Sequence, residues 1–275
     1  MVRIVAVIPA RMGSSRFPGK PLAPLLGRPM IEHVFRRAAM CERLEAVYVA
    51  TCDDEIRAAV EEFGGSVLMT SAAHERASDR VAEAAERIEA DIVVMIQGDE
   101  PMSTPGMIVA AVAPMLQDPS VSCVNLARRI VSREEYLDRN TIKIVMNVHG
   151  DGLYFSRSPI PTLDFAHDFA HDFTGRASMC PPVFKQVCVI PFRRDFLREF
   201  ASLPSTPLER AESIDMLRII EHGGHVRMVE TEADTHAVDT PEDLRLVESL
   251  MKDDPLVRLY GRDGEPLAPR ARARV

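Results

Sequence analysis

Large aromatic side chains are scarce in this 275-residue chain. Tryptophan is absent and aromatic residues make up only 5% of the sequence, whereas hydrophobic residues as a whole make up 46%. The apolar content is therefore mostly aliphatic, and it is sufficient for one substantial globular core. This balance favours an α/β interior over a β-sandwich built around aromatic side chains.

Paired cysteines, long apolar runs and an excess of positive charge are also missing. The cysteines are odd in number and none has CxxC spacing; they are Cys41, Cys52, Cys123, Cys180 and Cys188. We therefore expect neither a disulfide framework nor a zinc site, and a reducing cytoplasmic setting. The apolar run at residues 4–8 is too short for a signal peptide or a membrane span. A formal charge of -8 argues against general binding to nucleic acid or anionic membranes.

Apolar runs alternate with helical periodicity in the first part of the chain. The runs predict strands at residues 4–8, 47–51, 67–69 and 92–96, and the periodicity predicts helices at residues 29–40, 53–63, 78–88 and 107–116. This alternation predicts an α/β fold with a mostly parallel, Rossmann-like sheet flanked by helices. Ligands of such sheets gather at the carboxyl ends of the strands. The loop after Pro9 and the QGDE segment at residues 97–100 are both predicted to lie there.

The alternation breaks down between about residues 120 and 192. Short β-like runs at residues 121–126, 141–146 and 185–191 replace it. We therefore predict a smaller mixed-sheet subdomain, serving the acceptor or dimerisation, inserted into a main domain of residues 1–250. Residues 251–275 are charged and lack apolar periodicity, so we expect a peripheral or mobile C-terminal tail.

A tandem echo, DFAHDFAHDF, occupies residues 164–173. Its two histidines, His167 and His171, have the spacing of metal ligands on a helix. No other ligand joins them in the sequence, so a loop expansion is the favoured interpretation over a metal site.

The polar loop after the first predicted strand concentrates cations and small residues. Residues 9–20 read PARMGSSRFPGK. Gly13 allows the backbone a close approach to a ligand, and the two serines that follow supply hydroxyl and amide donors. Arg11, Arg16 and Lys20 can bind a polyanion through charge-assisted hydrogen bonds. Composition alone also fits a solvated basic loop, and the segment is not a Walker A motif. The pattern predicts a triphosphate site.

The same loop carries a resemblance to a known family. The opening PARMGSSRFPGKPL is similar to that of 3-deoxy-manno-octulosonate (Kdo) cytidylyltransferases, also called CMP-Kdo synthetases. Further motifs follow in the family's order: QGDEP (97–101), NTIKIV (140–145), YFSRSPIP (154–161), TPLERAES (206–213) and VDTPEDL (238–244). The resemblance covers about residues 3–250. It implies a sugar-nucleotidyltransferase fold, Mg²⁺ as cofactor, a homodimer, and transfer of CMP from CTP to a small anionic acceptor.

The resemblance also assigns roles to two aspartates. In the family, the matching carboxylates hold Mg²⁺ against the nucleotide phosphates, which implies metal ligands at Asp99 and Asp239. Spacing alone leaves Asp239 equally compatible with a helix cap, and leaves Glu100 as either a further contributor or a solvated strand end. The implied mechanism is direct displacement: Lys20 and Arg11 hold the triphosphate, the acceptor oxygen attacks the α-phosphorus, and pyrophosphate leaves.

The cytidine side of the predicted site departs from the family. Relatives usually carry SGTDR, and this chain has RASDR at residues 76–80. Arg76 adds a cation, whereas Ser78 keeps a hydroxyl; without the resemblance, Ser78 is interpreted as a helix cap beside surface arginines. The predicted nucleotide-binding residues are Pro9, Ala10, Arg11, Gly13, Ser14, Arg16, Lys20, Arg76, Ser78, Arg80 and Asp99.

The acceptor side departs further. Relatives carry H-x-G-I-Y where residues 186–190 read QVCVI, so Gln186 and Ile190 replace a histidine and a tyrosine that would face the sugar. The predicted acceptor-binding residues are Gln97, Lys143, Arg157, Gln186, Glu209 and Glu212. The two glutamates also suit the dipole at a helix start. Retained cations beside lost polar contacts suggest an acceptor other than Kdo, either a different 2-keto sugar acid or a small phosphonate, with Kdo itself a poor substrate at best. The wider choice between Kdo-like 2-keto sugar acids and non-sugar anions such as phosphonates stays open.

Two other functions are compatible with the sequence. The chain could be a nucleotidyltransferase that prefers another base, or a catalytically silent nucleotide-binding regulator. The joint presence of Lys20, Asp99 and Asp239 speaks against the regulator, because a silent relative would have little reason to retain all three.

Overall fold

The computed structural model describes residues 2–13, 16–163, 182–233 and 235–260. The strands within these residues are β1 (Ile4–Pro9), β2 (Pro24–Leu25), β3 (Arg28–Pro29), β4 (Ala46–Thr51), β5 (Ser66–Met69), β6 (Ile92–Ile96), β7 (Val124–Arg129), β8 (Lys143–Met146), β9 (Gly152–Ser156), β10 (Phe184–Val187), β11 (Val189–Arg193) and β12 (Arg227–Glu230). The helices are α1 (Met30–Ala39), α2 (Asp54–Glu62), α3 (Ala77–Glu86), α4 (Pro105–Gln117), α5 (Arg133–Leu137), α6 (Arg194–Ser202), α7 (Pro207–Glu212), α8 (Met216–Glu221), α9 (Pro241–Met251) and α10 (Pro255–Tyr260).

Strand β1 lies at the centre of a five-stranded sheet with the order β11-β6-β1-β4-β5. The pairs β1–β4, β1–β6 and β4–β5 are parallel, and β11 joins β6 in the antiparallel sense. All of β1 is buried: Ile4, Ala6 and Ile8 pack into one apolar cluster, and Val5 and Val7 into another. Helices α1, α2 and α4 contribute to the first cluster, and α3 and α6 to the second. The predicted mostly parallel sheet flanked by helices is confirmed.

A second, mixed sheet has the order β12-β7-β10-β8-β9. Strand β12 is parallel to β7, and the other neighbours are antiparallel. Strand β12 also bonds to the turn between β8 and β9, because Gly152 N donates to Val226 O at 2.9 Å and Met228 N donates to Gly150 O at 2.8 Å. Both long edges of this sheet are thereby brought together.

The mixed sheet differs from the predicted segment of residues 120–192 in two respects. Strand β12 comes from later in the chain. The single run expected at residues 185–191 is divided, with β10 in the second sheet and β11 in the first. The chain passes between the sheets at Cys188, whose carbonyl accepts a hydrogen bond of 3.2 Å from Gln97 N, just after β6. The two sheets therefore meet where β6 ends.

The expectation of a peripheral tail beginning at residue 251 was wrong for residues 252–260. Helix α10 packs onto the body of the molecule, and Tyr260 is only 7% exposed. Met251 and Val257 join a third apolar cluster with the β2–β3 hairpin and α1. Residues 261–275, like the DFAHDFAHDF echo with His167 and His171, lie outside the described residues.

The described residues bear on the expectations about disulfides and membrane spans. Cys41, Cys52, Cys123 and Cys188 are all free thiols there, whereas Cys180 is not among them. None of the described helices is long and apolar enough to cross a membrane.

Candidate active site

The loop after β1 folds back on itself and carries cations to the end of the sheet. Ala10 N donates to Ala50 O at 2.9 Å, and Met12 N donates to the Asp53 carboxylate at 2.8 Å. Gly19 adopts φ = 73°, a left-handed conformation that favours glycine, and its N–H reaches Met12 O at 3.0 Å. This turn places Lys20 at the first position of a short 3-10 helix (Lys20–Leu22).

Lys20 joins the two aspartates that the sequence singled out. Its Nζ lies 2.7 Å from Asp99 Oδ2 and 3.4 Å from Asp239 Oδ1. Burial alone lowers the pKa of Lys20, but the two carboxylates outweigh it and raise the pKa above its ordinary value. The lysine is therefore a cation held between two anions that are far apart in sequence.

Arg16 adds a second cation to the same group. Its Nη2 lies 3.0 Å from Asp239 Oδ1, and its Nη1 lies 2.5 Å from Asn140 Oδ1 on the side of the second sheet. The side chain remains about half exposed, so a ligand can reach it. Asn140 is a site residue that the analysis of side-chain chemistry missed, although it lies within the NTIKIV motif.

Backbone geometry fixes the two carboxylates. Gly98 leaves no room for a side chain, because a Cβ there would lie 2.9 Å from Pro9 O; the ends of β1 and β6 are thus in close contact. Val238 N donates to Asp99 O at 2.9 Å, which brings the next residue, Asp239, alongside. The helix-cap interpretation of Asp239 was wrong, since Thr240 caps α9 by accepting from Asp243 N at 3.2 Å.

Glu100 is buried rather than solvated. It is 4% exposed and accepts a short hydrogen bond from Thr235. Burial raises its pKa to about 7, so that near neutral pH a large fraction of this carboxyl is protonated. The interpretation as a solvated strand end was wrong.

A cleft of about 390 Å³ opens above this group. Among the predicted nucleotide-binding residues, those that line it are Pro9, Ala10, Arg11, Gly13, Arg16, Lys20, Arg76, Arg80 and Asp99. His74 and Ser213 also line it and were not predicted. Ser14 lies outside the described residues. With its cations and backbone donors at one edge of the sheet, this first cleft suits a polyanion.

In the RASDR segment, Ser78 neither lines the first cleft nor caps a helix. The capping position of α3 is Arg76, and Ser78 lies inside the helix, fully buried, where its hydroxyl donates to Asp215 at 2.6 Å. Arg76 donates to Ser213 Oγ at 2.6 Å and lies at the cleft. Arg80 is buried and donates to Thr70 at 2.5 Å. Ser78 thus holds Asp215, while the arginines border the cleft.

A second cleft of about 250 Å³ continues from the first toward the mixed sheet. Of the predicted acceptor-binding residues, Gln97, Arg157 and Gln186 line it. Much of its wall is apolar or weakly polar: Met95, Ile142, Cys188, Ile190, Ile214 and Met216. Gln186 is anchored, because its Nε2 donates to Asn125 Oδ1 at 2.6 Å.

Lys143 does not line the cleft. Its side chain is fully buried, and its Nζ donates to the carbonyl oxygens of Asp138, Thr141 and Arg157 at 2.7, 2.6 and 2.9 Å. Burial lowers the pKa of Lys143 to about 8. All three donors of an ammonium group are occupied, so in this conformation Lys143 joins loops and has no donor left for an acceptor.

Glu209 and Glu212 also stand behind the cleft wall. Glu209 is fully buried and pairs with Arg218 through both oxygens, at 2.6 and 2.9 Å. Glu212 accepts from Ser156 Oγ at 2.6 Å and from Arg157 N at 2.9 Å. Burial acts to raise the pKa of each glutamate, but hydrogen bonds, chiefly from Arg218 and Ser156 respectively, lower it overall. Both are therefore anions engaged with protein groups.

The described residues contain no cluster of three or more His, Cys, Asp or Glu side chains that could hold a metal by itself. Asp99 and Asp239 nevertheless both approach one Nζ, within 3.4 Å. Two carboxylates that leave the remaining positions to waters and substrate phosphates are a common Mg²⁺ arrangement. The donor set fits Mg²⁺ bound together with a nucleotide.

Comparison with known proteins identifies relatives of this chain in both sequence and fold. A family model described as "Cytidylyltransferase" matches residues 5–235. The 3-deoxy-manno-octulosonate cytidylyltransferase of Geobacter metallireducens is 46% identical over 255 residues, covering 91% of this chain and 99% of that one. Its counterpart in Geobacter sulfurreducens is 45% identical over 253 residues, covering 91% and 100%. The solved structure of CMP:2-keto-3-deoxy-manno-octonic acid synthetase complexed with CTP superposes with a TM-score of 0.81 at 40% identity, covering 92% and 99%.

Fold, cleft and family model together define a cytidylyltransferase, a class of nucleotidyltransferase. At the level of the family, the chain belongs to the 3-deoxy-manno-octulosonate cytidylyltransferases, or CMP-Kdo synthetases. The predicted family, fold and enzyme class are confirmed.

Proposed function

We propose that this protein transfers CMP from CTP to a Kdo-like 2-keto sugar acid and releases pyrophosphate, with Mg²⁺ as cofactor. The observation that carries the proposal is the position of Lys20 Nζ, which lies within 3.4 Å of a carboxylate oxygen of both Asp99 and Asp239 at the end of the parallel sheet. This group faces a cleft bordered by further arginines. A relative 40% identical in sequence has been solved with CTP.

The chain's own residues supply positioning and charge. Arg11, Arg16 and Lys20 hold the triphosphate, with Lys20 and Arg16 exchanging their carboxylate contacts for phosphate oxygens. Mg²⁺, held by Asp99 and Asp239, would supply charge neutralisation on the phosphates. The acceptor oxygen, approaching from the second cleft, forms a bond to the α-phosphorus and loses its proton as the bond to pyrophosphate breaks.

A small phosphonate is the second candidate acceptor, and the wall of the second cleft favours it. Ile190 and Met95 are both nearly fully buried and line this cleft, so they offer no partner to sugar hydroxyls. A hydroxyl left without a partner costs about 1–3 kcal/mol, or roughly 5- to 150-fold in specificity. Arg157 and Gln97 suit an oxyanion of either acceptor.

A substrate panel tests the proposal. Pyrophosphate release is measured at saturating CTP and Mg²⁺ with Kdo, other 2-keto sugar acids and short phosphonates, and the CMP-linked product is identified by mass spectrometry. A member of this panel should give a specificity constant in the ordinary enzyme range of about 10⁴ M⁻¹s⁻¹ or above. The control is a 45%-identical relative assayed in parallel. If that relative turns over Kdo, and this protein binds CTP but turns over no acceptor, the silent regulator is the better description. Replacement of CTP by UTP, ATP or GTP tests the preference for another base.

The family resemblance also leads us to propose a homodimer that works in the cytoplasm. Sedimentation at several protein concentrations tests the first part. A monomer at micromolar concentration would contradict it.

A further inference from the structure

A buried chain of hydrogen bonds links the last described helix to the segment that carries Asp99. The guanidinium of Arg37, on α1, is fully enclosed. Its Nη1 lies 3.4 Å from both Met102 O and Ser103 O, its Nε lies 3.2 Å from the Tyr260 hydroxyl, and its Nη2 pairs with Asp254. One side chain therefore contacts α10, the residue before it, and the backbone just beyond Asp99.

The direction of donation along this series of hydrogen bonds follows from His33, at its far end. His33 Nε2 lies 2.7 Å from Leu25 O, so this nitrogen carries the proton and donates. Burial lowers the pKa of His33, which keeps the ring neutral and leaves Nδ1 as an acceptor. Tyr260 then donates to Nδ1, 3.0 Å away, and accepts from Arg37. The hydroxyl of Tyr260 is thus committed to both partners in one arrangement.

An apolar cluster joins the same elements to the segments that carry Lys20, Asp99 and Asp239. Phe17, Met102 and Val238 meet in it, and they lie three, three and one residue away from Lys20, Asp99 and Asp239. Side chains of α9 and α10, including Met251 and Val257, complete the cluster. Residues 241–260, here called the C-terminal clasp, therefore pack against the segments that carry the catalytic group.

We propose that Arg37 and Tyr260 are positioning residues. They hold the segment of residues 99–103, so that the Asp99 carboxylate keeps its position relative to that of Asp239. This rests on the proposed function, because it takes the two aspartates as the working pair. The segment lies between β6 and α4 and has only two turn bonds of its own, Glu100 N to Gln97 O at 3.2 Å and Ser103 N to Glu100 O at 3.0 Å. Without Arg37, the carbonyls of Met102 and Ser103 lose a buried donor and the segment opens more often.

A positioning role predicts more than a loss of stability. Metal ligands and catalytic groups need to be held within about 0.5 Å of their working geometry. A segment that opens more often presents Asp99 correctly for a smaller fraction of the time, so the Mg²⁺ requirement should rise while the cleft for CTP stays in place. A purely structural bond would lower the melting temperature and leave the Mg²⁺ requirement unchanged.

The test compares Tyr260→Phe with Tyr136→Phe. Tyr136 is a matched control, because it is also buried, lies in a separate cluster, and its hydroxyl donates to Pro161 O at 2.5 Å. Hydrogen exchange of the Glu100 and Ser103 amides is measured in metal-free protein. The Tyr260→Phe change should raise the exchange rates of both amides roughly tenfold, because one buried hydrogen bond no longer opposes local opening. Tyr136→Phe should leave both rates unchanged.

A second readout concerns the metal. In Tyr260→Phe, the Mg²⁺ concentration for half-maximal turnover should rise about fivefold or more, with a much smaller change in KM for CTP. Unchanged exchange at Glu100 and Ser103, or an equal acceleration in Tyr136→Phe, would overturn the proposal. If Tyr260→Phe does not fold, Arg37→Lys decides the matter, since it keeps a charge for Asp254 but cannot reach all four partners. The exchange experiment needs no turnover, so it separates failure of the clasp from failure of the proposed function.

Discussion

At the scale of single residues, the two aspartates beside Lys20 give the most direct prediction. Asp99→Asn and Asp239→Asn each remove a charged oxygen that faces the cleft, and neither side chain belongs to an apolar cluster. We expect turnover at saturating Mg²⁺ to fall roughly 100-fold or more, with little change in melting temperature. Asp195→Asn serves as the control, because that side chain is 95% exposed on α6. Near-normal rates in either cleft variant would exclude a metal-binding role for that residue.

Lys143 gives a prediction of the opposite kind. In Lys143→Met, three carbonyl oxygens lose a buried donor, which should lower the free energy of unfolding by about 3 kcal/mol. The same change at Lys252, which is exposed, should have almost no effect. Urea unfolding measures both. A variant of normal stability but with a raised KM for the acceptor would instead restore Lys143 to the acceptor site.

At the scale of elements, the contact between the ends of β1 and β6 is the feature most sensitive to change. In Gly98→Ala, the new Cβ would lie 2.9 Å from Pro9 O, so one strand end must shift and carry Asp99 with it. We expect turnover to fall about 10- to 100-fold, as small misplacements of reacting groups do. Gly106→Ala is the matched control at the start of α4, where the nearest atom is 3.7 Å away. Kinetics and circular dichroism on both variants would show whether the loss is local.

The sequence predicted some of these elements because their signals are local. Strand β1 is an apolar run followed at once by a loop of glycine and cations, so its burial follows from the run itself. Its parallel partners follow from the alternation of predicted strands and helices. The division at Cys188 could not be predicted, since no turn residue such as glycine or asparagine stands at residues 184–190 and only long-range pairing assigns each half to its sheet. For the same reason Ser78 and Lys143 have polar partners that no spacing rule indicates. Tyr260 anchors α10 in a segment whose charged composition favoured a tail.

At the scale of the whole molecule, ligand binding should raise the free energy of unfolding. CTP with Mg²⁺ at about 100 times its dissociation constant should add roughly 2.7 kcal/mol to the free energy of unfolding. Lys20→Ala should reduce this gain sharply, because it removes the cation that contacts both aspartates of the first cleft, whereas Lys252→Ala should preserve it. Thermal unfolding with and without CTP, and again after chelation of the metal, measures the effect. A full gain in Lys20→Ala would remove this lysine from the triphosphate site.

The passage between the sheets at Cys188 has a consequence for how such an enzyme can change over time. Gln186 ends in the second sheet and Ile190 in the first, yet both line the second cleft, and only three residues separate them. A short stretch of gene therefore encodes two parts of the wall of one pocket. A single small recombination event could exchange both parts together. It would then change the acceptor specificity and leave the catalytic residues unaltered.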